Sequence, residues 1–450
     1  MNVVRKIFLG CLAGLLVVLL FFYSGQILDW VERTGRRSAP PLKVGILHSL
    51  TGTMALSEKP VMEATLLALE ELNAGGGIHG RKIEPVVADG KSDPDIFRQE
   101  AERLIIQEKV EVLFGCWTSA SRKAVRPIVE KYNSLLFYPV QYEGAEISPN
   151  IVYLGAAPNQ QLIPAIHWAL KHLGKRFFLV GSDYVYPRVA HDIAKQVIRF
   201  SGGEVVGEAY RPLGAKDFLE IAKQIQKTRP DVILNTINGD SNILFFEALD
   251  EIEISSQKAA IFSFSMDENL LKAVREYFAE KHPEQKEHFF KEHIKGLYAC
   301  WNYFQAIDTP LNADFIAKLK QKRGGDILVT DPMEAAYYGV HLWGRAAREG
   351  DGEGTTQDLL NRLRHLSILA PEGPLAIADN HHARKTVRIG RANEAGVFEI
   401  LWTSDRPVAA APYPSFRPKA YWEKLLETLS QKWGGRWEAS SGAGLNGEKR

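Results

Sequence analysis

Between Lys43 and about Asp267 the sequence alternates short apolar runs with longer stretches whose apolar residues recur every three or four positions. The short runs read as strands and the periodic stretches as helices. Regular alternation of this kind commits a chain to an open, mostly parallel sheet with helices on its faces. The stretch from Val110 to Gly144 shows the pattern in full. Val110–Phe114 reads as a strand ended by Gly115, and Cys116-Trp117-Thr118-Ser119 is the turn that follows. A helix is expected over about Ser121 to Lys131, then a strand at Leu135–Tyr138 and a second turn from Pro139 to Gly144. Ligands bind beyond the C-terminal ends of strands in such sheets. Both turns lie there, and they carry Trp, Thr and Ser on one side and Gln, Tyr and Glu on the other. That is a polar, aromatic rim suited to a small neutral molecule.

The same rhythm runs on either side. Lys43–Leu47 is a strand, and Pro60 is expected as the first residue of a helix carrying Met62, Leu66, Leu69 and Leu72. Ile83–Ala88 is the next strand, and Asp93-Pro94 opens a helix by its cap and proline. After Ile151–Gly155 a second alternating series begins. Its strands are Lys175–Val180, Val205-Val206, Val232–Asn235 and Ala260–Phe264, with polar turns at Gly181–Tyr186, Ile237–Asn242 and Ser265–Asp267. The charge-rich stretch Glu280–Lys295 breaks the alternation, and Leu297 to Phe304 reads as a return connection. Asp331-Pro332 is expected to cap a helix to about Ala347.

A length of 450 residues accommodates two lobes with separate cores. The formal net charge of +1 gives no general attraction to nucleic acid. Cys11, Cys116 and Cys300 form no paired framework. Cys116 and Cys300 are read as two buried thiols, with a disulfide between them as the alternative. Arg5-Lys6 and the apolar run Ile7–Tyr23 form an export signal or a membrane anchor, and the lack of a clear cleavage site favours the anchor. Either reading puts the main domain outside the cytoplasm.

No phosphate loop, nucleophile elbow or His-Glu-x-x-His spacing occurs. His381-His382 are adjacent, which in a strand points them to opposite faces and disfavours a shared metal. Glu143 and Glu146 could form a hydrolytic carboxylate pair, but nothing else arranges an acid and a base around them. No enzyme activity, metal or cofactor is expected. What remains is convergence: Trp117, Thr118, Ser119, Tyr142, Tyr184, Tyr186, Asp240 and Ser265 all follow strands. Brought across a cleft they make aromatic walls with a few directed polar groups, the usual make-up of a small-molecule site. The alternative is that these aromatics only fill the region between lobes. Trp117 lies on a turn, so its truncation is expected to cost ligand affinity far more than stability.

Several motifs together resemble a family. They are Lys43–Met54, Gly115-Cys116-Trp117-Thr118-Ser119, Phe137–Gly144, Ala157–Gln161, Asp183–Arg188, Thr236–Asn242 and Asn380-His381-His382. The chain resembles the periplasmic ligand-binding proteins of the leucine/isoleucine/valine-binding superfamily, within them the urea- and short-chain-amide-binding branch. The resemblance spans about Lys43 to Trp402. It implies a type I periplasmic binding protein: α/β, with two Rossmann-like lobes joined by three crossover strands. The implied division is a signal or anchor at 1–25, a tether at 26–41, lobe 1 at 42–157 and 298–367, and lobe 2 at 158–297. Residues 368–433 would be the lobe 2 return and C-terminal extension, and 434–450 a disordered tail. It further implies a small-molecule ligand, urea or a short amide, clamped between the lobes. Ser119 would offer its hydroxyl, Trp117 and Tyr184 the walls, and Tyr186 and Asp240 contacts from lobe 2. Tyr138 is either a core residue or part of the site. The implied partner is an ABC permease in the membrane; the alternative is a sensor that signals to a membrane or regulatory partner.

Overall fold

The strand β1 (Leu42–His48) is buried along nearly its whole length and anchors a five-stranded sheet. Each residue of β1 pairs in parallel with β2 (Ile83–Asp89), and its other edge takes β3 (Leu113–Gly115). Then come β4 (Leu136–Tyr138) and β5 (Ile151–Tyr153), giving the order β2-β1-β3-β4-β5, all parallel. This computed structural model describes residues 40–284, 286–350, 355–393 and 395–439. The crossovers of this first lobe are α1 (Ala55–Ala74), α2 (Pro94–Ile106) and α3 (Ser119–Lys131). Asp93 caps α2 as expected, accepting from the amides of Asp95 and Ile96.

Two local expectations shift. Pro60 lies inside α1, which starts at Ala55. The missing amide leaves only the carbonyl four residues back, at Leu56 on an exposed turn, without its helical partner. The strand expected at Val110–Phe114 is regular only from Leu113, although Glu111 and Val112 already bond to β1, the Glu111 amide donating to the Lys43 carbonyl and the Gly45 amide to the Val112 carbonyl, each at 2.9 Å.

After β5 the chain crosses into the second lobe. There α4 (Leu162–His172), α5 (Val185–Phe200), α6 (Leu219–Thr228), α7 (Ser241–Glu251) and α8 (Glu268–Lys281) alternate with β6 (Arg176–Ser182), β7 (Glu204–Arg211), β8 (Val232–Thr236) and β9 (Ala260–Ser263). The segment read as a return connection contains β10 (Tyr298–Trp301), which joins β9 in parallel. The chain then returns to the first lobe with α9 (Pro310–Arg323), α10 (Asp331–Arg348) and α11 (Thr356–His365). Helix α10 lies along α1 so closely that a Cβ on Gly344 would meet Leu72 Cδ1 at 2.6 Å. The Asp331 carboxylate does not cap α10. It accepts the amides of Asn302 and Tyr303 at 2.8 and 2.7 Å, tying the helix start to the crossing.

A small hairpin, β11 (Ser367–Ala370) and β12 (Gly373–Ala376), precedes the third crossing. The chain then adds β13 (Arg388–Ala392) and β14 (Phe398–Thr403) antiparallel to the second sheet, whose order becomes β14-β13-β10-β9-β8-β6-β7. Lys385 is fully buried at this crossing and its Nζ meets both Glu372 oxygens at 2.8–2.9 Å. A last helix, α12 (Lys419–Lys432), docks on α5. Ordered chain continues past Trp433: residues 434–439, expected as part of a disordered tail, pair with the second lobe. Cys116 and Cys300 are free, buried thiols. Among the described residues no helix is long and apolar enough to cross a membrane. The apolar run at 7–23 and the tail beyond Ala439 lie outside them.

The third crossing also carries a titratable group with a readable consequence. His382 is buried, its Nδ1 donates to the Asn380 carbonyl at 2.6 Å, and its Nε2 accepts the Tyr142 hydroxyl at 2.5 Å. Burial pushes its pKa down to about 4. A depressed folded-state value means that this stabilising contribution is complete above the unfolded value near 6.5 and is lost as pH falls towards 4. His382→Gln is expected to flatten the fall of melting temperature between pH 6.5 and 4, and calorimetry at both pH values measures it. An unchanged slope would remove His382 from the acid response.

Candidate functional site

The turn after β3 begins with a backbone reversal. Gly115 approaches β1 so closely that a Cβ would meet the Leu47 carbonyl oxygen at 2.0 Å, and Cys116 adopts φ +63°. The chain then enters α3 with Thr118 as its cap, the threonine Oγ1 accepting from the Ser121 amide at 3.0 Å. Ser119, first in the helix, donates its hydroxyl to Glu143 and accepts from Arg122 Nη1 at 3.0 Å. Arg122 and Lys123 follow on the next turn, turned inward where surface helices carry such residues outward.

These two cations meet two carboxylates from the turn after β4. Arg122 Nη2 lies 3.2 Å from Glu143 and its Nε 2.9 Å from Glu146. Lys123 Nζ lies 3.3 Å from Glu143 and 2.8 Å from Glu146. Burial acts against the charged forms of Glu146 and Arg122, yet the pairing prevails. Glu146 is held well below the ordinary carboxylate range, chiefly by Arg122 and Lys123, and Arg122 is held above its own ordinary value by Glu146 and Glu143. The Tyr138 and Tyr142 rings flank the guanidinium, with centroids 4.9 and 4.6 Å from Cζ. Arg126, partly exposed, adds a 3.3 Å contact to Glu146 and pairs with Glu130 at 3.4 Å, so three positive and three negative side chains make a charge-matched wall.

The second lobe brings Tyr184 and Tyr186 to this wall from the start of α5, their ring centroids 6.2 Å apart. Burial raises both phenols, and Glu143 and Tyr138 of the first lobe add to the effect, so the two lobes meet here. Gln141 spans the gap. Its Nε2 donates to the Phe264 carbonyl after β9 at 2.7 Å, while its Oε1 is buried with no hydrogen-bond partner.

The sequence-predicted residues therefore fall into separate places. Trp117, Ser119, Tyr184 and Tyr186 gather around Tyr138, Gln141 and Glu143; Tyr138 is itself buried and donates to the Trp117 carbonyl at 2.6 Å. Thr118 is occupied as a cap. Tyr142 points the other way, stacked on Tyr153 at 5.0 Å and bonded to His382 behind Arg122. Ser265 adjoins Phe264 and donates to the Ile237 carbonyl within the second lobe. Asp240 is exposed at the rim, where it takes the Thr53 hydroxyl of the first lobe and its amide donates to the Thr53 carbonyl at 3.2 Å. The lobes approach there because residue 239 is glycine: φ is +69° and a Cβ would sit 2.5 Å from Thr53 O.

Gln141 and Arg122 were outside the sequence-predicted set. The signal for Gln141 was its place in a post-strand turn beside Tyr142; Arg122 gave none, since a helical arginine ordinarily faces water. Trp117 is 3% exposed and belongs to the first lobe's core, so the expectation that its loss spares stability changes. Trp117→Ala is expected to cost about 3–5 kcal/mol of stability, seen as a lowered first unfolding transition. Trp117→Phe is the variant that separates binding from folding.

A family description, "Periplasmic binding protein domain", matches residues 42–419. The Leu/Ile/Val-binding protein homolog 6 of Brucella suis biovar 1 (strain 1330) is 22% identical over 79% of this chain and 89% of that protein. A limonene hydroxylase of Geobacillus stearothermophilus is 30% identical over 31% of this chain, and the match spans only 27% of that protein's length. Among solved structures, a solute-binding protein of an ABC transporter from R. palustris, in complex with 4-hydroxybenzoate, superposes with a TM-score of 0.70 at 21% identity. That alignment covers 82% of this chain and 98% of the other. The matched span includes both sheets and every turn of the wall just described. The chain belongs to the periplasmic binding proteins, as a two-lobed α/β member of that family, whose members bind small solutes and are not enzymes.

Proposed function

We propose that the protein captures a small neutral amide, urea foremost, between its lobes and delivers it to an ABC permease, with residues 1–41 holding it at the membrane. The observation that carries this reading is the charge-matched wall. A carboxylate ligand such as a benzoate or an amino acid needs an unmatched cation or free donors. Here Arg122 and Lys123 are already met by Glu143 and Glu146, and the Ser119 proton is committed to Glu143. What the first-lobe side of the wall offers an incoming molecule is acceptors, while the Tyr184 and Tyr186 phenols, kept protonated by burial, are donors for a carbonyl. The Ser119 oxygen has one lone pair left after Arg122, and Gln141 Oε1 has both. Urea brings four N–H donors and one carbonyl, and Trp117 and Tyr184 would be the aromatic walls for its flat faces.

Calorimetric titration of the full chain with urea, acetamide, isoleucine and 4-hydroxybenzoate tests the assignment. Binding of urea with a weaker acetamide response and none from the two carboxylates is the expected result. Binding of either carboxylate in preference to urea would overturn it.

A further inference from the structure

Residues 419–439 are built into both lobes. Helix α12 belongs to the second lobe: Trp422 is fully buried and Tyr421 donates to Asp192 of α5 at 2.9 Å. Gly434 and Gly435, at φ +59° and +87°, then turn the chain towards the first lobe. Arg436 there meets Asp95, and its Nη2 lies 3.2 Å from the carboxylate of Asp93, the α2 cap. The Trp437 ring lies against Lys123 of α3, with Nζ 5.0 Å from its centroid. The main chain next turns back to the second lobe. The Val185 amide donates to the Trp437 carbonyl, and the Ala439 amide donates to the Asp183 carbonyl, each at 2.9 Å.

Those two bonds flank an antiparallel pair, Tyr184 with Glu438. Residues opposite one another without a direct bond are the closer kind of antiparallel pair, and their side chains share a face. Glu438 thus lies beside Tyr184, a wall of the candidate site, and is 9% exposed. Burial pushes its carboxyl up to about 8, with Asp93 and Asp95 adding to the rise and Arg436 opposing it. Four consecutive residues therefore hold one lobe by side chains and the other by main chain.

We propose that residues 436–439 are a strap that clasps the lobes shut across the cleft, so that ligand enters and leaves when the strap comes off. The gating part of this proposal rests on the ligand site proposed above. The Arg436 pairs are partly exposed and the main-chain pairing is a single bridge, so the strap is suited to release without unfolding either lobe.

The test uses the full chain carrying Arg436→Asp, and the charge swap Arg436→Asp with Asp95→Arg. Hydrogen exchange at the Val185 and Ala439 amides reads strap docking; stopped-flow mixing with urea reads exchange of ligand. Arg436→Asp is expected to speed both amide exchange and urea dissociation about tenfold, and the swap to restore both. Unchanged amide exchange, or faster amide exchange with unchanged urea rates, would overturn the strap. Should urea bind neither the parent chain nor the variant, the ligand assignment falls and small-angle scattering decides. A larger radius of gyration for Arg436→Asp then supports the clasp, and an equal radius overturns it. If Arg436→Asp fails to fold, Trp437→Ala carries the same measurements.

Discussion

Replacing Arg122 by methionine is expected to lower the stability of the first lobe by about 3–5 kcal/mol, the cost of stranding a buried carboxylate. The guanidinium is fully buried and serves Glu143, Glu146 and Ser119 at once. Lys123 and Arg126 remain in the variant, but Arg126 reaches only Glu146 and is shared with Glu130, so Lys123 alone is left to serve Glu143 as well as Glu146. The second substitution Glu143→Gln, which removes the carboxylate left without its own cation, should return a good part of the loss. Guanidinium unfolding of the three proteins measures this; urea is unsuitable as denaturant for a protein proposed to bind it. A variant as stable as the parent would mean that water reaches the cluster and that the wall is not the closed, balanced surface on which the ligand assignment depends.

Gln141→Leu is expected to weaken urea binding by about a hundredfold or more, the cost of offering hydrocarbon to a desolvated N–H donor. Leucine has nearly the volume of glutamine, so the turn keeps its shape. The folding cost falls on the Phe264 carbonyl and the Tyr186 hydroxyl, which lose their Gln141 partner, about 1 kcal/mol each. Affinity and stability should therefore separate cleanly, unlike in Trp117→Ala. Titration calorimetry reads the first and guanidinium unfolding the second. A variant that still binds urea as the parent does would place the ligand elsewhere in the cleft.

The alternation of strands and helices was legible because it depends on local periodicity and on caps such as Asp93-Pro94. The turns beyond the strands were legible for the same reason. What a turn residue does with its side chain was not. Tyr142 and Tyr184 look alike in sequence, each following a strand, but Tyr142 is drawn backwards by His382, 240 residues away. Asp240 was read as a ligand contact from the second lobe, but its partner is Thr53 in the other lobe. Thr118 carried a local sign, since a threonine three residues ahead of the predicted helix start is a ready cap once the helix begins a turn earlier. The strap was hidden by its composition. Glycine, serine and charge read as a tail, and its docking uses main-chain bonds that no side-chain pattern announces.

The balanced wall also bears on how the protein finds its ligand. Many binding proteins gain speed by attracting a charged solute through long-range fields, and lose that speed as salt rises. An uncharged ligand meeting a cleft of matched charge is not steered, and added counterions have nothing to screen. Capture by such a protein would be set by how often the cleft opens and by encounter at random, equally in dilute and in salty surroundings.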